Sequence, residues 1–549
     1  MPTSSPLASQ IALKISGTDI DPEVMGHVLT VDVDQHAYLP GMFVVRLQDP
    51  NFSLIDEGPF DLTKEVEISA QKEDGQWIPL MKGEITALEP EFQEGMIASL
   101  VVRGYDKSHR LYRDQKTEAH LNAKDSDLAQ AVAQAAGLQA EVDPTTTVYD
   151  HVLQHNQSDL SFIQERAWRI GYECYVDEGK LIFRKPSTQA PAVTLTWGAD
   201  LLSFSPRMTL AEQVDEVVVR AWSVKDKAAI VGRAQEGALY PDIDEPKDGA
   251  AWAQSFGTAK RIYLDQSAVS QAEANILAEA RLNELSGAFV QAEGLALRRP
   301  DVSAGKQIKL EALGQRFSGS YLVTNAHHMY SAEGLRTAFS VRGARTGLVV
   351  ENIGLRYVQE RLPGAMIGIV TNTDDPEHWG RVKVKLPWMA DNAESDWARV
   401  VGVGAGPEAG LFAIPDVDDE VLVVFEQGDI RRPFVIGGLW NGRDAPPPPV
   451  PGSGVERPLV RSWHSRTGHH ITVYDTSDNK IEIVTKGGHT VTLDDANSEI
   501  KVTSSGGLTL TFADNGSKIT LEGNEIAVKA NGSLKIESGA NMDLQAGGQ

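Results

Sequence analysis

Apolar and polar positions alternate with a period of two along most of the chain, the mark of half-buried β-strands whose successive side chains point to opposite faces. The alternation is clear at 381–386, where Arg381, Lys383 and Lys385 interleave with Val382, Val384 and Leu386. Helical periodicity is the exception. Over 158–171, Leu160, Ile163, Ala167 and Ile170 share one helical face, with Ser158 placed to cap the start and Gly171 to end it. A shorter helical pattern covers about 127–137, and a third about 272–287, with Ile276, Leu277, Ala280 and Leu285 as its buried stripe. The expected fold class is mainly β, with β-barrels carrying α/β insertions over 1–360.

Near Pro363-Gly364 the pattern shifts to short strands with glycine turns, expected at 398–403, 421–425 and 434–438, so 361–445 reads as a small antiparallel barrel. Residues 446–460 form a proline-rich linker, most evident in the stretch APPPPVPGSG, which favours an extended left-handed backbone. Residues 461–549 are a run of short alternating segments. Toward the end their spacing settles at eight residues, with Ile526, Leu534 and Met542 in one register and Val528, Ile536 and Leu544 in a second. Asn515-Gly516, Asn531-Gly532 and Gly539 supply turns. A ribbon with one apolar stripe and exposed strand edges must either coil on itself as a solenoid or wind with other copies.

The chain has 549 residues and a net charge of −25, from 51 basic against 76 acidic side chains. That balance repels phosphate backbones and argues against a nucleic-acid partner. One cysteine cannot form an intrachain disulfide, the start MPTSSPLASQ lacks the basic and apolar regions of a secretory signal, and no apolar run approaches the roughly 20 residues of a membrane span. Assembly in a reducing cytoplasm is expected.

No catalytic, cofactor or metal site is expected. The glycines of VGVGAGPEAG at 401–410 are interrupted by Pro407 and followed by a strand pattern, so the helix N-terminus of a dinucleotide site is missing. His327-His328 and His469-His470 are adjacent on strands and point to opposite faces. Cys174 lies in a strand with no basic neighbour and reads as a buried thiol. Asp418-Asp419-Glu420 sit in a strand-entry turn, where acids are solvated.

The order of these parts resembles the VgrG-like spike proteins of contractile injection systems and the hub and spike proteins of contractile phage tails. The resemblance is carried most specifically by GIVTNTDDPEHWGRVKVKLPW and IPDVDDEVLVVFEQGDIRRPFVIGGLWNG, whose matching positions include Asp375, Pro376, Gly380, Arg381, Pro387, Trp388, Pro415, Glu420, Gly428, Asp429, Pro433 and Gly437. Asp418 stands where the family has Gly, and Asp tolerates the left-handed backbone of such a turn. Two further blocks match, QSDLSFIQERAWRIGYECYVDEGKLIF and DVSAGKQIKLEALGQRFSGSYLVTNAHHMY.

The resemblance implies a homotrimer with an N-terminal hub of two barrels per chain, an OB-fold collar over 361–445 and an intertwined trimeric β-prism, or β-helix, over 461–549. It implies that Ile526, Val528, Leu534, Ile536, Met542 and Leu544 line the needle. It also implies inner-tube initiator and baseplate partners, a PAAR-type tip protein touching Asp543, Leu544 and Gln545, effector cargo, and puncture of a target membrane. The place of work would be a contractile particle or secretion apparatus assembled in a bacterial cytoplasm. The alternative is a β-solenoid adhesive or carbohydrate-binding tail protein, disfavoured because Trp463, Tyr474 and Phe512 are the only aromatic residues after the linker.

Overall fold

The computed structural model describes residues 10–95, 97–186, 189–237, 241–243, 245–264, 268–343, 345, 364–387, 389, 394–447 and 459–547. Trp388, Pro363 and most of the 446–460 linker lie outside the described residues. The chain divides into two compact units, Met1–Leu439 and Trp440–Gln549.

The first unit is organised by an eleven-stranded sheet that contains the same strand order twice. In one half Val28–His36, Met42–Gln48, Ile97–Asp106 and Trp77–Gln93 lie side by side in that order; in the other Leu201–Met208, Val290–Leu297, Gly334–Val341 and Asn325–Ser331 do the same. Each set runs first, second, fourth, third along the sequence, so the two are topological copies. They are joined where Asn325–Ser331 pairs antiparallel with Val28–His36, placing His327 opposite Asp34 and Met329 opposite Asp32. Each half has its own apolar core, with Val31, Val33, Phe43, Val45, Leu100 and Val102 in one and Val290, Ala292, Ile308, Tyr321 and Phe339 in the other. Both cores use the same packing device. Gly104 lies under the Phe43 ring and Gly294 under the Phe339 ring, each so close that an added Cβ would sit within 2.4 Å of a ring carbon. The expected pair of barrels is thus two half-barrels sharing one sheet.

The α/β insertions pack beside these halves. Helix Asp159–Arg169 is capped by Ser158, whose hydroxyl accepts the Ser161 N–H at 3.2 Å, and buries Leu160, Ile163 and Ala167. Gly171 ends it with φ 73°, and its Cα faces helix Gln271–Gly287 so closely that a Cβ would lie 3.1 Å from that of Ala280. The helix expected near 127–137 spans Asp125–Ala135.

Within the same unit a five-stranded sheet follows, in the order Lys383–Lys385, Ala365–Asn372, Glu420–Phe425, Pro433–Gly438 and Arg399–Val400, around Val370, Val382, Val384, Val421, Val423 and Val435. The strand expected over 398–403 is only two residues long. It stops because Gly402, Gly404 and Gly406 turn the backbone into a loop closed by the Leu411 N–H to Val403 carbonyl bond, with Gly404 at φ 71°. Asp418 adopts φ 73°, the left-handed turn expected of it.

The second unit is a seven-stranded antiparallel meander built from Val460–His464, His470–Tyr474, Lys480–Val484, Thr490–Asp494, Glu499–Thr503, Thr509–Ala513 and Lys518–Glu522. Each strand pairs with its neighbours in sequence. This corrects the expectation that the ribbon leaves both edges of every strand open. The connections are long enough for tight hairpins, so up to Glu522 the chain satisfies its own ladders. Residues 523–547 form no strand.

Candidate functional site

The meander's register sorts its side chains with little exception. One ladder reads Trp463, Ile471, Ile483, Val491, Val502, Leu510 and Leu521; the next but one reads Arg461, Val473, Ile481, Leu493, Ile500, Phe512 and Ile519. Both lie on one face, because ladders two residues apart share a side of the sheet. Thirteen of these fourteen positions are apolar, and Arg461 is the exception. The opposite face carries Thr472, Glu482, Thr492, Lys501, Thr511 and Thr520 in its central ladder. Most of the apolar face is open to solvent, including Ile471, Ile483, Leu493, Ile500, Phe512 and Leu521. A contiguous apolar surface of this kind marks an interaction site. The six residues expected to line a needle, Ile526, Val528, Leu534, Ile536, Met542 and Leu544, all fall in the strandless stretch and are all exposed, as much as 90% for Leu544. Asp543 and Gln545 lie in the same exposed stretch.

In the small barrel, Asp375 explains why its motif residues occur together. Its carboxylate is buried and accepts the backbone N–H groups of Glu377, Trp379 and Arg381 at 3.1, 2.8 and 3.1 Å, and the Arg381 guanidinium at 2.6 Å. Pro376 begins this turn and Gly380 completes it at φ 72°. Burial opposes the charge, but Arg381 and the three N–H donors hold the carboxyl well below the usual carboxylate range. Gly428 follows the left-handed Gln427 with φ 80°, Asp429 accepts the Arg431 N–H at 3.0 Å, and Pro433 opens the strand whose Gly437 opposes Leu422. Glu420 opposes Ile369, while Pro387 and Pro415 lie outside the strands.

Sequence reasoning missed a joint around Glu273. This residue sits in the first turn of Gln271–Gly287, where it accepts the Val269 N–H at 2.8 Å. Its other carboxylate oxygen meets Arg169 of the first insertion at 2.7 Å and Arg431 of the barrel at 3.3 Å. Burial pushes the Glu273 carboxyl up, but the two guanidiniums more than offset that and hold it at about 2. Beside it Arg166 is buried, pairs with Asp125 at 2.6 Å and lies 4.3 Å over the Tyr149 ring. His151 and the Glu394 carbonyl, 2.9 Å apart, add a second tie between insertion and barrel. The signal in the sequence was Arg166 and Arg169, two arginines beside the apolar stripe of a helix; their partners are more than 40 residues away.

The fold places His327, His328 and Cys174 in ordinary packing environments. His328 is fully buried, bonded to Thr337 at 2.9 Å and held neutral by burial, which lowers its pKa to about 3, while His327 faces Asp32. Cys174 is buried and its thiol is pushed up by burial. Among the described residues no cluster of three or more His, Cys, Asp or Glu could hold a metal ion, and no helix is long and apolar enough to cross a membrane.

The family model described as the Alg8 N-terminal domain matches residues 11–332, more than half of the chain. The chain belongs to that family. A second model, described as the type VI secretion system/phage-baseplate injector OB domain, matches 366–440, the segment folded around Asp375. The chain is 32% identical over 145 residues to the type VI secretion system spike protein VgrG2a of Pseudomonas aeruginosa, covering 24% of this chain and 17% of that protein. It is 28% identical over 132 residues to the spike protein VgrG3 of Vibrio cholerae, covering 23% and 13%. It therefore spans less than a fifth of the length of these curated relatives. A chain in the half-lidded structure of the Francisella PdpA–VgrG complex is 8% identical and superposes with a TM-score of 0.51 over 94% of this chain and 88% of that one, which shows a shared fold. The chain is VgrG-like.

Proposed function

We propose that the chain is one third of a homotrimeric central spike, with a hub over 1–360, an OB-fold collar over 361–445, a linker over 446–460 and a β-prism needle over 461–549. The observation that carries this reading is the ribbon's two adjacent apolar ladders. A single chain leaves them in water, and three copies turned face inward bury them around a common axis. Over 523–547, Ile526, Val528, Leu534, Ile536, Met542 and Leu544 line the continuation, where the strands pair between copies. A PAAR-type tip protein closes the far end at Asp543, Leu544 and Gln545.

The repeated strand order in the hub supports a role in symmetry matching. Three chains with two half-barrels each give six equivalent elements, suited to a sixfold inner tube and its initiator. The free edge of Leu201–Met208 corresponds to the edge of Val28–His36 that is already paired within the chain, so it is suited to pair with the outer part of Trp77–Gln93 from a neighbouring copy. Baseplate proteins would seat the hub, and sheath contraction would then drive the needle, with effector cargo, through the target membrane. Light scattering of the purified chain is expected to give about three times 59.6 kDa. A mass of 59.6 kDa with an ordered ribbon would overturn the trimer and favour the solenoid adhesive.

A further inference from the structure

Successive turns of an antiparallel meander fall on opposite margins of the sheet, so the second unit has two lateral edges, each made of turns. One edge consists of 465–469, 485–489 and 504–508, the other of 475–479, 495–498 and 514–517. The turns of the first edge are built alike. Ser465, Thr485 and Ser504 open them, and their hydroxyls accept the N–H groups of His469, His489 and Leu508 at 3.0, 3.1 and 3.0 Å. Gly468, Gly488 and Gly507 supply the left-handed backbone just before each end. Consecutive turns are also bonded to one another. On the first edge the Lys486 N–H donates to His469 Nδ1 and the Ser505 N–H to His489 Nδ1, each at 3.2 Å. On the second, the Asp495 N–H donates to the Asn479 carbonyl at 3.1 Å and the Asp514 N–H to the Ser498 carbonyl at 3.0 Å. Each edge is therefore a fixed column whose turns stand two strands, or roughly 10 Å, apart.

The two columns differ in charge. Turns of the first hold Arg466 and Lys486 and no acid, whereas those of the second hold Asp475, Asp478, Asp495 and Asp514 and no base. The strand ends that flank the turns add Glu522 to the first edge, and Asp494, Glu499, Lys480 and Lys518 to the second, leaving +1 on one and −4 on the other. Some of these charges are already engaged within the chain: Asp475 pairs with Arg461, and Lys480 with Glu482. Lys486 is exposed and makes no ion pair among the described residues.

We propose that the two edges are the halves of one interface between copies of this chain, with the basic column of one copy seated along the acidic column of the next. This rests on the trimeric reading and adds to it how the copies meet. The apolar ladders alone leave that open, because an antiparallel pair of ribbons stacked face to face buries them too and sets like edges together. Opposite signs on the two edges favour a parallel ring, in which every seam joins unlike edges. Rotation about the ring axis leaves heights unchanged, and the columns are offset by one strand. Lys486 of one copy thus stands between the 475–479 and 495–498 turns of the next, roughly 5 Å along the axis from each.

The test uses the full-length chain, whose single cysteine, Cys174, is buried. A variant carrying both Lys486→Cys and Asp478→Cys, treated with a short bismaleimide, is expected to give covalent dimers and trimers on a denaturing gel, and each single variant to stay monomeric there. A link within one chain is out of reach, since a strand of about 17 Å separates the edges. Lys486→Glu is expected to weaken trimerisation about tenfold by sedimentation in about 50 mM NaCl. Adding Asp478→Lys is expected to recover most of that loss, and to recover less in about 500 mM NaCl. If the protein is trimeric by light scattering but the double variant fails to cross-link, or a single variant links as well, the edge assignment falls while the trimer stands. Indifference of trimerisation to Lys486→Glu overturns the charge pairing, and a monomer by light scattering overturns the trimer and this interface together.

Discussion

Glu273→Gln removes one charge from the centre of the first unit while keeping the side chain's size and an oxygen to accept the Val269 N–H. The wild-type carboxyl is held at about 2 against an ordinary 4.5, because Arg169 and Arg431 more than offset the burial that opposes its charge. At about 1.36 kcal/mol per unit, a depression of that size is worth on the order of 3 kcal/mol of stability at neutral pH. The group binds its proton more weakly in the folded chain than in the unfolded one. Its contribution is therefore complete above about pH 5 and drains away as pH falls from 4.5 toward 2. The amide contributes none of this at any pH and leaves the buried Arg169 and the part-buried Arg431 without their shared counter-charge. Breaking a buried pair in this way costs about 3 to 5 kcal/mol, so the two routes agree on the magnitude.

The assay is urea unfolding read by hydrogen exchange in peptides from Asp159–Arg169 and Gln271–Gly287, the two helices whose side chains meet at the joint. The variant is expected to lose about 3 kcal/mol at pH 7 and less than about half of that at pH 3, since the wild type surrenders the same interaction on acidification. An unchanged midpoint at pH 7 refutes the joint. A deficit equal at both pH values refutes its electrostatic origin and leaves only packing.

Ile483→Asp places a carboxylate in the middle of one apolar ladder and is expected to shift the mass by light scattering from about three times 59.6 kDa to one, because several kcal/mol per unpaired buried charge outweighs the local apolar contacts. Truncation after Glu522 is expected to keep the trimer, held by the two ladders, and to lower its melting temperature; a monomeric truncation product would show that 523–547 alone hold the copies together. Asp375→Asn forfeits the charge that organises the 375–381 turn and is expected to destabilise the small barrel by about 2 to 4 kcal/mol in calorimetry, with the seven-stranded sheet unaffected.

The mainly β class, the helix capped by Ser158 and the turn conformation of Asp418 were legible because each rests on a local signal: a period, a cap or a residue's tolerance of positive φ. Helix 271–287 was legible only in outline. Its expected stripe of Ile276, Leu277, Ala280 and Leu285 is buried except at Ile276, and the helix also buries Ala274, Ala278 and Leu282, with Glu273 and Arg281 among them, because it packs on more than one neighbour. The doubled strand order was not visible, since the two halves share topology without repeating residues. In one, residues 37–41 join the first two strands; in the other, 209–289 do so and carry an entire insertion. The Glu273 joint escaped for a related reason. Its members come from three segments, Arg169, Glu273 and Arg431, and an ion pair across such separations leaves no periodic trace.

On the proposed trimer, the ribbon divides into two regimes that would need other copies for different reasons. Up to Glu522 every interior strand has both ladder partners within the chain, so association can only bury side chains, and its driving force is the hydrophobic term of the two apolar ladders. Beyond Glu522 the stripe continues at an eight-residue spacing, but residues 523–547 have no strand partner among the described residues. There, association would have to supply main-chain hydrogen bonds as well as burial. A segment that acquires its backbone bonds only from its neighbours cannot slide without breaking them, whereas apolar faces in contact can shift by a ladder at modest cost. The proximal faces would therefore bring three acidic chains together, and the distal octads would fix their register and stiffness.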